Sequence, residues 1–291
     1  MSLGVYFPPV KPYSEMLSCF VPNLMDYYQN PEKYALPPFR IFGNLYYVGD
    51  KKVCCHLIDT GDGLILIDTG YAHTMHILLR NIKTLGFQPE NIKYIIHSHG
   101  HFDHFGCSCR LKTLYGCKIF MGAEDAKRLQ INPEAALNKL GPEPYAPIPQ
   151  TDVSLNDGDT ICLGNVNIRC VSAPGHTEGV MAFFFDATCG AETKKVGYWG
   201  GMGFFTMHRP YLQEYGLPLD LPARMGQTIP KLLKEQVDIT LGNHPANNGT
   251  VEKYEYMCQH PEENPFADPS VWTEMLETAQ ARLEDFLAQD F

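Results

Sequence analysis

Ten consecutive residues, His97-Ser98-His99-Gly100-His101-Phe102-Asp103-His104-Phe105-Gly106, place four imidazoles and a carboxylate directly after the apolar run at 92–96. Imidazole and carboxylate are the groups zinc takes when thiolates are absent. A cluster this dense at the end of a strand constrains the whole fold, because distant parts of the chain must converge on it. In extended chain His99 and His101 share a face and can reach one ion. Asp103 and His104 follow where a helix should begin, which turns them to a neighbouring point, and an acidic residue there suits the helix dipole. The alternative register pairs His97 with His99. The later one is preferred because it runs straight into Asp103 and His104, and it leaves His97 in the core or behind a ligand.

Catalytic zinc keeps three protein ligands and one open position, so each ion needs a further histidine from elsewhere. His176 lies in Ala173-Pro174-Gly175-His176-Thr177, and His244 in Leu241-Gly242-Asn243-His244-Pro245. Each comes just past a predicted strand, where loops gather and sites are built. His56, His73, His76, His208 and His260 lack such context and are read as structural or surface residues.

The surrounding pattern is regular. Strands are predicted at 39–48, 53–59 and 64–68, a helix over 73–85 capped by Gly86, a strand at 92–97, and a helix through Leu114 ended by Gly116. A short strand at 118–121 and a helix at 123–129 precede the Pro-rich stretch 131–150, which reads as a surface loop or lid. Strands at 159–163, 166–172, 180–186 and 196–199 follow, then a helix over 219–236, a strand at 238–241 and an amphipathic helix over 270–288. Strands and helices thus come in two similar rounds. Two sheets packed face to face with helices outside satisfy that order best. Residues 1–38, rich in Pro and Tyr, read as an N-terminal arm with a short helix near 16–28, and 39–291 as a single domain.

Composition removes several classes of function. At 291 residues, 44% apolar and 19% charged, the chain has the balance of an ordinary globular protein. A formal charge of −10 argues against nucleic acid or an anionic membrane as partner. The ten cysteines follow no zinc-ribbon spacing and read as free thiols of a reducing compartment. No apolar run spans a membrane, and the N-terminus lacks a signal-peptide pattern, so a cytoplasmic protein is expected unless a leader has been removed. The expected partner is a small-molecule substrate.

With the ordered set His99, His101, Asp103, His104, His176 and His244 in place, behind a strand ending Leu66-Ile67-Asp68-Thr69-Gly70, the chain resembles the metallo-β-lactamase superfamily over about residues 39–250. Its wording around the histidines is most similar to that of the subclass B3 enzymes. The resemblance implies an α/β fold, a four-layer αββα sandwich, and two Zn2+ ions, other divalent ions being possible. It assigns His99, His101 and His176 to the first ion and Asp103, His104 and His244 to the second. It also implies a zinc-dependent hydrolase, in which hydroxide held between the ions opens an amide, lactone, ester or thioester carbonyl. Asp103 is then catalytic as well as ligating. Asp68 either hydrogen-bonds a ligand or the loop beneath it, or is a strand-end turn residue.

One departure concerns the aspartate that bridges both metals in many superfamily hydrolases. The equivalent strand here runs Val196-Gly197-Tyr198-Trp199-Gly200-Gly201, without a carboxylate. The serines with which the subclass B3 lactamases hold the drug's carboxylate are also replaced, by Gly200-Gly201-Met202-Gly203-Phe204-Phe205. For substrate contacts the sequence offers Met202, Phe204 and Phe205 as an apolar floor, and Asn247 and Asn248 as polar groups. A true β-lactam-hydrolysing enzyme is the alternative within this chemistry. A non-catalytic metal-binding protein, or an iron redox protein on the same fold, is the alternative of another class. The redox version calls for a glutamate where His101 stands.

Overall fold

Apolar alternation decides which way each strand faces. In β4 (Leu64–Ile67) every residue is buried: Ile65 and Ile67 pack toward the centre of the molecule, whereas Leu64 and Leu66 pack outward against helices. That is the signature of a strand covered on both faces. The same division holds in the second half, where Phe183 and Phe185 of β10 (Met181–Cys189) face the centre and Phe184 faces outward. The computed structural model describes Lys11, Glu15 and residues 23–289.

The first sheet has seven strands in sequential order: β1 (Phe39–Phe42), β2 (Leu45–Tyr47), β3 (His56–Asp59), β4, β5 (Ile92–Ile96), β6 (Lys118–Gly122) and β7 (Val153–Leu155). The first four pair antiparallel and the last four parallel. The second sheet runs β12 (Ile239–Gly242), β11 (Glu192–Trp199), β10, β9 (Val166–Ser172), β8 (Thr160–Leu163), with only β11 and β12 parallel. The central core lies between the sheets. Outside the first sheet, Met75, Leu78 and Ile82 of α1 (Met75–Thr84) meet Leu64, Leu66 and Ile95, flanked by α2 (Phe102–Phe105), α3 (Ser108–Tyr115) and α4 (Ala123–Ile131). Outside the second lie α6 (Leu221–Leu232) and α8 (Ser270–Ala288), whereas α5 (Arg209–Glu214) packs Tyr211 and Leu212 into the cluster of Phe102 and Phe105, and α7 (Thr250–Gln259) lays Val251, Tyr254 and Met257 against the inter-sheet core. Met225 and Ile229 of α6 and Trp272, Met275 and Leu283 of α8 bury Phe184 and Trp199. The Trp272 indole donates to the Leu232 carbonyl at 3.0 Å, locking these two helices together. The layers are α, β, β, α, as the resemblance implies.

Several local expectations change. The strand foreseen at 39–48 is a hairpin folded at Gly43, which has φ +51° and would place a Cβ 1.9 Å from the Thr188 carbonyl oxygen. Strand β7 and helix α7 were not foreseen. Of the helix foreseen near 16–28, residues 16–22 lie outside the described residues, and 23–29 are helical. The described part of the arm is not separate from the body. Leu24 and Tyr27 are buried with Phe102 and Phe105, and Leu36 joins the inter-sheet core. Stretch 131–150 is likewise packed rather than free, with Ala136, Leu137 and Ala146 in that same cluster. No helix of the described residues is long and apolar enough to cross a membrane, and every cysteine among them is free.

One buried charge stands outside this order. Lys253 on α7 is 1% exposed, and its ammonium lies over the Phe266 ring at 5.5 Å with no hydrogen-bond partner. Burial pulls it from 10.5 down to about 8, against the opposing fields of Asp268 and Glu274. A depressed lysine penalises the fold wherever the unfolded chain is protonated. The penalty is full below pH 8, fades between 8 and 10.5 and vanishes above. Lys253→Met is therefore expected to stabilise the protein by about 2–3 kcal/mol at neutral pH. In paired urea melts the gain should shrink toward zero by about pH 10.5; a gain unchanged across that range would contradict this account.

Candidate metal centre

Four loops leave strand ends and meet at one point. Asp68 ends β4, residues 97–101 follow β5, His176 follows β9 and His244 follows β12. The six candidate ligands form two adjacent groups, His99–His101–His176 and Asp103–His104–His244, whose donor atoms lie within 4.8 Å of one another inside each group. In the first, the His101 Nδ1 and His176 Nε2 atoms are 3.0 Å apart, and the three rings stand nearly perpendicular with centroids 4.7–4.8 Å apart. In the second, Asp103 Oδ2 lies 3.2 Å from His104 Nε2 and 3.6 Å from His244 Nε2. Two atoms each about 2.0–2.1 Å from one tetrahedral zinc lie about 3.3–3.4 Å apart, so the observed spacings fit. The groups adjoin, with the His99 and His104 rings 4.2 Å apart.

In four of the five histidines the ring nitrogen turned away from these groups is fixed by a partner, which leaves the other facing inward; His101 is the exception, its Nε2 being buried with none. The His176 Nδ1 atom is 2.7 Å from the Gly203 carbonyl, and the His244 Nδ1 atom is 2.8 Å from that of Lys52. His99 Nδ1 meets the Ser98 hydroxyl at 3.0 Å, and His104 Nδ1 meets Asp68 at 2.9 Å. The Nε2 atom of His99 is buried without any hydrogen-bond partner, and that of His104 faces only Asp103 of its own group. Leaving buried polar nitrogens unpaired costs stability unless something is coordinated there. The residues fit a metal.

Asp68 takes the first of its two foreseen roles, as a hydrogen-bond partner of a ligand. It sits at φ +56°, which a short polar side chain tolerates, and accepts four hydrogen bonds. The donors are His104, the Ser98 backbone and hydroxyl at 2.8 and 2.7 Å, and the Tyr198 hydroxyl at 2.6 Å. His97 is fully buried beside it, meeting Ser108 at 2.9 Å, and belongs to neither group. The remaining five histidines stand apart as well.

Electrostatics separates the two groups. Burial and neighbouring imidazoles hold His99 and His101 well below the usual histidine range, and burial holds His176 at about 4. These three are neutral at pH 7 and ready to ligate. His244 is lowered for the same reason. His104 is the exception. Burial pulls it down, but Asp103 and Asp68 on either side outweigh that and push it up to about 10. Asp103 is raised by burial yet ends below the usual carboxylate range, because His104 and His244 face it.

The proposed substrate contacts fare differently. Met202 and Phe204 are buried among Trp199, Met225 and Phe286, with Phe204 5.5 Å from the Phe286 ring. They form core, because the segment after β11 runs beneath α6 and α8. The partly buried Phe205 packs beside Tyr211. The Asn247 side chain accepts from the His244 backbone at 2.8 Å, and fully buried Asn248 donates to the Thr240 carbonyl at 2.8 Å. Both amides shape the loop under His244 and are committed there. Ser98, Tyr198 and the Lys52 carbonyl escaped notice in the sequence; only Ser98, between two histidines, carried a signal. A Cβ on Gly200 would lie 2.0 Å from the Ser98 Cβ. Any side chain at Gly200 would therefore collide with the serine that supports His99.

The model of the metallo-beta-lactamase superfamily matches residues 48–188. A hydroxyacylglutathione hydrolase, GloC of Haemophilus influenzae, is 31% identical over 160 residues, 53% of this chain and 70% of that protein. The chain belongs to the metallo-beta-lactamase superfamily. Among other curated relatives it matches, it spans 62% of one and 34% of two more. The native FEZ-1 metallo-beta-lactamase of Legionella gormanii superposes with a TM-score of 0.79 at 26% identity, over 87% of this chain and 96% of that one. BJP-1 of Bradyrhizobium japonicum, a subclass B3 metallo-beta-lactamase, gives 0.74 at 25% over 89% and 97%. The superfamily placement and the likeness to subclass B3 agree with the sequence reading.

Proposed function

We propose that this chain is a zinc-dependent hydrolase of carbonyl substrates, with two ions held by His99–His101–His176 and Asp103–His104–His244. The observation that carries this is the pair of adjoining donor groups whose inward nitrogens have no other partner. When bound, two zinc ions supply Lewis acidity to a carbonyl and acidify water to a pKa of about 7. Asp103 is the catalytic residue. Its carboxylate is anionic at neutral pH, 14% exposed, and able to orient an attacking water and pass a proton to the leaving atom. His244, 41% exposed, marks the open side through which substrate enters. Residues 39–291, joined by the described part of the arm, act as one unit.

A thioester, lactone or ester is preferred over a β-lactam. The segment 200–205 offers no hydroxyl, and the adjacent Thr206 is buried with its hydroxyl committed to the His176 carbonyl at 2.6 Å. Likeness to hydroxyacylglutathione hydrolases supports the thioester, and likeness to FEZ-1 and BJP-1 supports the β-lactam as second reading. Zinc-loaded protein should be assayed against nitrocefin beside lactone, ester and glutathione-thioester panels. Turnover lost on chelation and restored by zinc is expected in the latter panels. Nitrocefin as the sole substrate would favour the second reading. A protein holding two zincs that hydrolyses nothing would overturn both.

A further inference from the structure

We propose that Asp125 is a positioning residue for the His99–His101–His176 group, clamping together the two loops that carry it; this rests on the metal reading above. Asp125 lies in the first turn of α4 and is 3% exposed. Its Oδ2 accepts the Gly100 N–H at 2.7 Å and the Thr177 hydroxyl at 2.7 Å, and its Oδ1 accepts the Gly179 N–H at 2.8 Å. Gly100 stands between His99 and His101, and Thr177 follows His176. One carboxylate therefore binds the loop after β5 to the loop after β9.

Two features make this more than packing. His99, His104, His176 and His244 each have a partner on the outward ring nitrogen, but the outward Nε2 of His101 is buried with none. The orientation of His101 thus depends on its backbone, and Gly100, its neighbour, is what Asp125 holds. Both clamped backbone sites are also glycines that permit the approach. A Cβ on Gly100 would lie 3.2 Å from the Asp125 Cβ, and one on Gly179 would lie 2.6 Å from its Cγ. The clamp needs acceptors on both oxygens. Asparagine would turn an N–H2 toward either Gly179 or the Gly100–Thr177 pair, donor against donor, and release one loop.

The test is a zinc titration of the metal-stripped full chain against a chromophoric chelator, repeated in a His244→Ala background so that the remaining step belongs to the first group. Asp125→Asn is expected to weaken that step about 10–100-fold. The Asp103–His104–His244 step should stay near wild type, although the stripped protein should melt somewhat lower because a buried donor loses its acceptor. Thr177→Val, which deletes one of the three donors at nearly constant shape, should show the same selective loss at about tenfold or less, and it decides the matter if Asp125→Asn fails to fold. Wild-type affinity in both variants would overturn the proposal. So would equal weakening of both steps in parallel with lower melting of the stripped protein, since that is what a purely structural role produces. A wild-type chain that takes up no zinc would overturn the metal reading itself, and this assignment with it.

Discussion

Zinc affinity at Asp103–His104–His244 is expected to rise about tenfold per pH unit between about pH 6 and 9, while affinity at His99–His101–His176 stays nearly flat. The asymmetry follows from where the protons sit. Without metal, His104 lies between Asp68 at 2.9 Å and Asp103 at 3.2 Å, and these carboxylates outweigh burial and push its imidazolium up to about 10. Asp68 takes the Nδ1 proton in both states, so the proton that zinc must displace is the one on Nε2. Each pH unit below 10 adds about 1.4 kcal/mol to that displacement. Over three units the second step should therefore change roughly 10³-fold. In the first group no proton stands in the way: His176 lies at about 4, and His99 and His101 lie well below the usual range. Competition titrations from pH 6 to 9 would resolve the two steps. Parallel slopes, or a flat second step, would refute the assignment. At a fixed, low free-zinc concentration the protein should hold one ion in acid and two in mild alkali.

What the sequence disclosed, and what it withheld, divides along the same physical line. The ligands were visible because each carries its own chemistry: His99, His101, Asp103 and His104 sit in one run, and His176 and His244 each follow a strand. The sandwich was visible because strands covered on both faces, such as Leu64–Ile67, read as unbroken apolar runs. The supports were not visible, because they act through partners distant in sequence. Lys52 holds His244 with a backbone carbonyl, which any residue possesses. Tyr198 reaches Asp68 from 130 positions away. Met202 and Phe204 illustrate the converse error. Apolar residues near a site suggest a pocket floor, but α6 and α8 cover that segment and make it core. The hairpin at Gly43 was legible but passed over: Gly43-Asn44 between two apolar runs is a two-residue turn signal, and Phe42 pairs with Leu45 across it.

Replacing Asp68 tests the supports directly. Asp68→Ala is expected to cost about 3–5 kcal/mol of folding stability in metal-stripped protein, the cost typical of breaking a buried charged pair. The carboxylate is fully buried at φ +56° and satisfies His104, Ser98 twice and Tyr198, so its loss orphans four donors at once. Burial alone would raise its carboxyl, but the His104 and His97 contacts hold it below the usual range. A depressed carboxyl stabilises the fold above its unfolded value near 3.8 and loses that contribution as pH falls further. The wild-type advantage over the alanine variant should therefore be full at pH 6 and shrink in strong acid. Asp68→Asn separates charge from shape. It keeps the volume but removes one of the two carboxylates that hold the His104 proton. Its imidazolium should then release that proton at lower pH, shifting the pH-dependent zinc step toward acid, with zinc affinity weakened about 10–100-fold at high pH. Urea melts at pH 6 and 3, with zinc titrations on the same variants, measure both effects. If Asp68→Asn leaves the zinc step at the wild-type pH, then Asp68 acts on the fold alone and does not set the protonation of His104.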